Sequence, residues 1–462
     1  MALFFSDMVS MNQYSGRRNV VQMHRIIKLL GRSSAIFRFL TVVATIAALN
    51  GCAASRFVHQ DESVVSPRTD EKIEQNRFSL AANQDVIGQL RSVRLAEGDT
   101  LPDIARHYNV GLNVLNTANP GVDTWVPEPR ERIVLPMSFI LPDVPRNGIV
   151  INLATMRLFQ FKGSGSTREV ITYPVGVGTE ERPSPMGQLT VVRKASHPTW
   201  YVPTSIARDH LKKGDPLTPS IPPGPDNPLG EYALYLSRPS YLIHGTNKTA
   251  SIGLRATNGC FRLFPEDIQR LFATTPVGTP VNIVSQPYLL GRRNGVVYME
   301  IHGSVDDLQT TEFDRLYVKL KKLEQAIGHP LDWKAIKRVI AEARGIPVPI
   351  VDLQQRNSML SVEPLEVRHP RTLNGSPKVP QPRPDAWSVL AATMRDERDA
   401  ARLSAIINHQ GPHIPARIVT KGGKYQIIAG PFTDQKEATT IIKRLRIDLE
   451  LEPSLIAPVR RQ

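Results

Sequence analysis

Two segments carry residues able to do covalent chemistry. One is Tyr241-Leu-Ile-His-Gly-Thr246, and the other is Ile252-Gly-Leu-Arg-Ala-Thr-Asn-Gly-Cys-Phe-Arg-Leu263. A thiol attacks a carbonyl as its thiolate. A nearby imidazole can take the proton, and a nearby cation can stabilise the anion. His244 can do the first, and Arg262 or Arg255 the second. His244 follows an apolar strand and precedes Gly245, so its ring sits where the backbone is free to turn. Attack on an amide builds an oxyanion that needs backbone N–H donors. The Gly259 and Cys260 amides are the candidates, because glycine lets backbone approach a substrate closely. Asn258 turns the backbone there or donates a hydrogen bond. Residue types and spacing alone carry little weight, since a histidine and a cysteine in one chain more often form an inert buried pair. The chain has two cysteines, so one Cys52–Cys260 disulfide or two inert thiols is the competing reading.

The elements that must position these residues are short strands. Residues 148–153, 157–161, 170–175, 189–193, 232–236, 242–243 and 281–284 are apolar runs separated by turn residues. Their length and close spacing predict a mainly antiparallel β-sandwich over 146–287. Within it, 196–230 is long, rich in proline and poor in strand signal. A loop of that length inside a compact domain is usually functional.

The 462 residues exceed one core and predict about three domains. The apolar fraction is 41% and the charged fraction 22%, as in globular chains. The 38 prolines cluster at 127–145, 203–228 and 364–384, as expected of linkers and constrained loops. A net charge of +14 favours an anionic partner: nucleic acid, anionic lipid or a carboxylate polymer. Nucleic acid ranks last, because no RNA-recognition signature or zinc-finger spacing is present. The histidines lack ligand spacing and there is no nucleotide fingerprint, so neither metal nor cofactor is expected.

Residues 1–51 join a basic segment to the short apolar run 39–49, which describes a secretory signal. The run is too short to cross a bilayer. Residues 52–90 read as a tether. Residues 91–137 predict a small βααβ unit, with Thr100 or Asp99 capping the first helix. Residues 288–385 read as an extension and linker. They include one added strand at 298–305 and two helices at 313–326 and 331–344. Residues 386–460 give the order βαββαβ, an α+β ferredoxin-like module.

Four resemblances add to this reading. His244-Gly-Thr together with 252–263 resembles the signature of the YkuD family of L,D-transpeptidases. So do Leu141-Pro-Asp143, Gly148-Ile-Val-Ile-Asn152, Gly176-Val-Gly178, 222–230 and Val277-Gly-Thr-Pro-Val281. The set looks most like the enterobacterial group that joins an outer-membrane lipoprotein to the wall. The resemblance implies Cys260 as nucleophile, His244 as base, and a backbone carbonyl rather than an acidic side chain orienting the histidine. It implies attack on the diaminopimelate–D-Ala bond of a tetrapeptide stem, followed by transfer to an amine. It also implies that loop 196–230 covers the site, with Trp200, Tyr201 and Tyr232 as wall residues. Many family members have Ser-His where this chain has Thr257-Asn258, which removes a histidine helper. The 91–137 unit resembles a LysM domain and 386–460 a SPOR domain, which implies peptidoglycan glycan strands as partners. Leu49-Asn-Gly-Cys52 resembles a lipobox. That implies export to the periplasm and a lipid on Cys52, with Ala53 favouring anchorage in the outer membrane. Two other readings stay open: an L,D-carboxypeptidase or wall-lipoprotein hydrolase using the same site, and a non-catalytic wall tether.

Overall fold

The computed structural model describes residues 76–459, apart from 82–83, 164–167, 304–309, 329 and 354–361. The expected signal segment, Cys52 with its lipid, and the tether through residue 75 lie outside the described residues. Among the described residues no helix is long and apolar enough to cross a membrane.

The last part of the expected tether is structured instead. β1 (Arg77–Ser79) pairs with residues 169–171 at the edge of the central sheet, and β2 (Val86–Gly88) pairs with residues 138–140. Val86 and Ile87 are fully buried. Two apolar residues in a polar stretch make no detectable period, so the sequence hides these strands.

β3 (Arg91–Arg94), α1 (Leu101–His107), α2 (Leu112–Ala118) and β4 (Arg132–Leu135) form the βααβ unit. Thr100 caps α1, its side chain accepting from the Asp103 N–H at 3.3 Å. Asp99 instead accepts from the Ala96 N–H at 2.7 Å. Leu101, Ile104 and Leu115 pack against Val93, Ile133 and Leu135, each fully buried. Each such side chain contributes about 2 kcal/mol. The first amides of α2 lack partners within the helix. They donate outward, Leu112 to the Ile252 carbonyl at 3.2 Å and Asn113 to Gly253 at 3.3 Å. The unit thereby grips the segment leading into Cys260. Contact is close enough that a Cβ on Gly253 would lie 2.4 Å from the Gly111 Cα.

The central domain holds β5 (Ser138–Ile140), β6 (Ile149–Asn152), β7 (Arg157–Lys162), β8 (Glu169–Pro174), β9 (Val177–Gly178) and β10 (Gly187–Ser196). Then follow β11 (Trp200–Tyr201), α3 (Thr204–Lys212), β12 (Ser220–Ile221), β13 (Tyr232–Leu236), β14 (Leu242–His244), β15 (Arg255–Thr257) and β16 (Phe261–Arg262). α4 (Pro265–Thr274) and β17 (Pro280–Val284) complete it. The expected mainly antiparallel pairing holds, but the sandwich is corrected to one curled sheet with two parallel pairs. Nine strands run in the order β1-β8-β7-β6-β17-β10-β13-β14-β16, with β6–β17 and β14–β16 parallel. The curl comes from β10. Its first half pairs with β17 and its second with β13, across a bulge between Val191 and Arg193. A bulge bends a strand and increases its twist. The sheet therefore closes over one core of Ile149, Ile151, Val191, Ile243, Phe261 and Ile268. Strand length and apolar content predict strands but not whether they make two sheets or one that curls, which explains the difference.

Residues 288–385 hold more order than a linker. β18 (Tyr288–Arg293), β19 (Val296–Ile301) and β20 (Val348–Asp352) form their own three-stranded sheet, so the added strand does not extend the central one. α5 (Thr310–Ile327) and α6 (Trp333–Glu342) cover it around Met299, Leu320 and Ile336. β21 (Leu365–Glu366) pairs in parallel with β3.

β22 (Trp387–Met394), α7 (Glu397–Asn408), β23 (Ala416–Lys421), β24 (Lys424–Phe432), α8 (Gln435–Leu449) and β25 (Ser454–Ile456) follow the predicted order. They make an antiparallel sheet ordered β23-β24-β22-β25. This module docks on the βααβ unit and on the central domain. Arg402 on α7 pairs with Asp123 at 2.6 Å, and His409 Nε2 lies 3.3 Å from Asp103. Lys443 on α8 pairs with Asp215 at 2.8 Å.

Candidate active site

β14 and β16 lie side by side in parallel, with Ile243 opposite Phe261 and His244 opposite Arg262. Ile243 and Phe261 are fully buried in the core. Side chains alternate across a strand. His244 and Arg262 therefore face away from the core, and one pleat back along the chain Cys260 shares that face. From strand spacing and rise, the Cα atoms of His244 and Cys260 stand roughly 8 Å apart.

The imidazole is buried, with Nδ1 2.6 Å from the Gly245 carbonyl. A carbonyl only accepts, so Nδ1 holds the proton and Nε2 carries the lone pair. The orienting group is thus the backbone carbonyl that the family resemblance implied. Burial, then the Arg262 charge, push the His244 pKa down to about 3, against the pull of the Gly245 and Leu229 carbonyls. The Cys260 thiol is free and donates to the Ser240 carbonyl at 3.5 Å. Burial pushes its pKa up, while the Leu242 N–H and the Arg262 charge pull it back. At rest the pair is neutral thiol and neutral imidazole, not an ion pair.

Arg262 is the cation whose charge reaches both groups. Its Nη1 donates to the Ala256 carbonyl at 3.2 Å, and its buried Nε has no partner among the described residues. Arg255 stands exposed on β15 and is not brought to the pair. Gly245 is packed tightly, since a Cβ there would lie 3.0 Å from Ile268.

The loop before Cys260 is braced by a residue whose role the sequence did not reveal. The Thr257 hydroxyl donates to the Cys260 carbonyl at 2.7 Å and accepts from the Gly259 N–H at 3.1 Å. That corrects the expectation for Gly259: its amide is already spent, which leaves the Cys260 N–H for an oxyanion. Thr257 lies three residues before the cysteine, a spacing suited to side chain-to-backbone turns, and this was the available signal. Asn258 is exposed, its Oδ1 accepting from Arg182 Nη1 at 2.5 Å. Gly259 has φ +104°, and a Cβ would lie 2.8 Å from Tyr241 Cε1. Gly259→Ala should therefore displace the nucleophile loop. Acylation of Cys260 by a carbapenem, followed by mass, is expected to slow by about 100-fold, the scale of losing one oxyanion donor. An alanine variant acylated at the unaltered rate would show that the loop tolerates the change.

The segment 196–230 holds the β11–β12 pair and α3, which the sequence reading missed. α3 is only 9 residues long and buries none of them, so its period is too brief to stand out in a proline-rich stretch. Buried Asn227 staples the loop, donating to the carbonyls of Pro198, Ile221 and Pro222 at 2.8–3.2 Å. Tyr232 is no wall residue: it lies on the core side of β13 with Leu234, its ring 4.8 Å from that of Phe272. Tyr201 is 78% exposed and Trp200 half-buried. Tyr241, against Gly259, borders the loop instead. Among the described residues no cluster of three or more His, Cys, Asp or Glu could hold a metal ion.

A free thiol and an oriented, neutral imidazole on one face of adjacent strands make the site of a cysteine acyltransferase. Residues 146–283 match the YkuD family, the L,D-transpeptidase catalytic domain, and residues 384–457 match the SPOR domain. The probable L,D-transpeptidase ErfK/SrfK of Salmonella typhimurium is 35% identical over 298 residues, covering 60% of this chain and 93% of that protein. The probable L,D-transpeptidase YbiS of Escherichia coli is 38% identical over 272 residues, covering 57% and 88%. YcfS of Escherichia coli, also a probable L,D-transpeptidase, is 34% identical over 261 residues, covering 55% and 81%. The chain belongs to the YkuD family of L,D-transpeptidases and carries a C-terminal SPOR domain.

Proposed function

We propose that Cys260 and His244 carry out L,D-transpeptidation of peptidoglycan stems. The observation carrying this reading is the His244 ring itself, held at Nδ1 by a backbone carbonyl on a strand paired with the one that follows Cys260. His244 Nε2 takes the thiol proton as sulfur attacks the carbonyl carbon at the L-centre of diaminopimelate. The Cys260 N–H stabilises the oxyanion. The carbon–nitrogen bond to D-Ala breaks, and the leaving amine takes the proton from the imidazolium. An acceptor amine then attacks the thioester, returns a proton to Nε2 and frees the thiol. The acceptor is a second diaminopimelate, giving a 3–3 cross-link, or a lysine of an outer-membrane lipoprotein.

The flanking modules fit the same polymer. The βααβ unit acts as a LysM-like glycan reader and the SPOR domain as a second one. The +14 charge suits a wall rich in carboxylates. Residues 1–51 export the chain, and lipid on Cys52 anchors it in the outer membrane facing the wall.

Purified disaccharide-tetrapeptides incubated with the full chain test the reading by product mass. Cross-linked dimers, each one D-Ala lighter than two monomers, are expected, and Cys260→Ala should form none. Stems shortened by one residue without dimers would favour the L,D-carboxypeptidase. No product, with Cys260 unmodified by a carbapenem, would leave only a wall tether.

A further inference from the structure

We propose that Arg182 is a positioning residue of this reaction, clamping helix α3 of the covering loop to the segment that carries Cys260. The proposal rests on the transpeptidase reading and adds to it how the cover is held. One guanidinium serves two clients. Nη1 donates to Asn258 Oδ1 at 2.5 Å, two residues before the nucleophile, and Nη2 pairs with Asp209 on α3. A planar fork can hold two acceptors at once, which a lysine ammonium on a single stem does less well.

The turn carrying Arg182 is itself fixed to the nucleophile loop. The Arg182 N–H donates to Thr179 Oγ1 at 3.2 Å, and the Thr179 N–H donates to the Thr257 carbonyl at 3.0 Å. The Pro183 carbonyl lies 3.2 Å from where a Cβ on Gly259 would stand. Arg182 therefore reaches α3 from a rigid base beside Cys260.

α3 needs such a hold. It buries no residue, and Leu211 is 65% exposed, so the core does not retain it. Its described polar ties sit near its C-terminal half. Asp209 goes to Arg182. His210 Nδ1 lies 3.1 Å from Asp215, which pairs with Lys443 of the SPOR domain at 2.8 Å. The Arg182–Asp209 pair is a little over one-third exposed on each side, and such pairs add little to global stability. Its effect is local: it keeps the cover down and Asn258 in place, so that an acceptor amine rather than water meets the thioester.

Arg182→Ala, Arg182→Lys, Asp209→Ala and the Arg182→Ala/Asp209→Ala double variant, in the full chain, test this in two independent ways. Hydrogen exchange of the 204–212 amides is read first and needs no substrate. It should quicken several-fold in Arg182→Ala and Asp209→Ala, with the melting temperature nearly unchanged. Turnover of disaccharide-tetrapeptides is read second. Arg182→Ala should lower kcat/KM for dimer formation by roughly 10- to 100-fold, the scale of a small misplacement. It should also raise the share of hydrolysed stems, with Arg182→Lys intermediate and the double variant no worse than Arg182→Ala. Unchanged exchange across α3, or a double variant whose loss is the product of the two single losses, overturns the clamp. If exchange responds while even the unaltered protein makes neither dimers nor shortened stems, the clamp stands and the transpeptidase reading fails.

Discussion

Cys260→Ala is expected to abolish both carbapenem labelling and D-Ala release, while the protein keeps its fold. No neighbouring group can stand in. The Thr257 hydroxyl is committed to the Cys260 carbonyl, and an unactivated alcohol is a poor nucleophile. The thiol is outside the core cluster, so its removal leaves the packing of Ile243 and Phe261 untouched. A change in stability within about 1 kcal/mol follows. Cys260→Ser sharpens the point. An imidazole held near pKa 3 is too weak a base to activate an alcohol, so serine should restore almost nothing. Intact-mass spectra after carbapenem exposure check all three proteins. A persistent adduct on Cys260→Ala would move the nucleophile elsewhere, and brisk labelling of Cys260→Ser would mean that His244 is a stronger base than its burial allows.

Much of this site was legible because its chemistry lies in two short segments whose residue types are costly to keep for other reasons. His244 before a glycine ends a strand that was visible as the apolar run 242–243, whereas the short strands on either side of Cys260 were not read. The C-terminal module was legible for a similar reason: long strands and two helices of clear period set its whole order. What stayed hidden depends on contacts distant in sequence. The parallel pairing of β14 with β16 puts thiol and imidazole on one face, and no local pattern encodes strand direction. Thr257 and Arg182 act through hydrogen bonds whose partners are set by the folded loop. α3 is short and packs none of its residues into a core. Arg255 and Arg262 looked equivalent as neighbouring cations, and only burial separates them. The strands at 77–79 and 86–88 are too short to read, and each is held by a partner distant in sequence, β8 and β5.

His244→Gln is expected to slow acylation by about 100- to 10,000-fold at neutral pH, the usual span for a general base. The shape of the pH profile tests the role more sharply than the size of the loss. With His244 titrating near 3 and the thiol above its ordinary range, the neutral pair is the dominant state across most of the working range. Proton transfer occurs inside the reaction, so the unaltered enzyme should be acylated at nearly constant rate from about pH 4 to 8. Glutamine cannot take the proton. The variant must wait for free thiolate, and its rate should climb about tenfold per pH unit over that range. Stability gives a second reading with its own sign. The folded pKa of His244 lies below the unfolded value of about 6.5, so the unfolded chain binds the proton more readily. The resulting stability is whole above about pH 6.5 and drains away as pH falls toward 3. His244→Gln removes that dependence, so its melting temperature should fall less between pH 7 and 4. Equal slopes in both profiles, with equal acid sensitivity in both proteins, would mean that His244 neither takes the thiol proton nor titrates with its burial, and would remove it as the base.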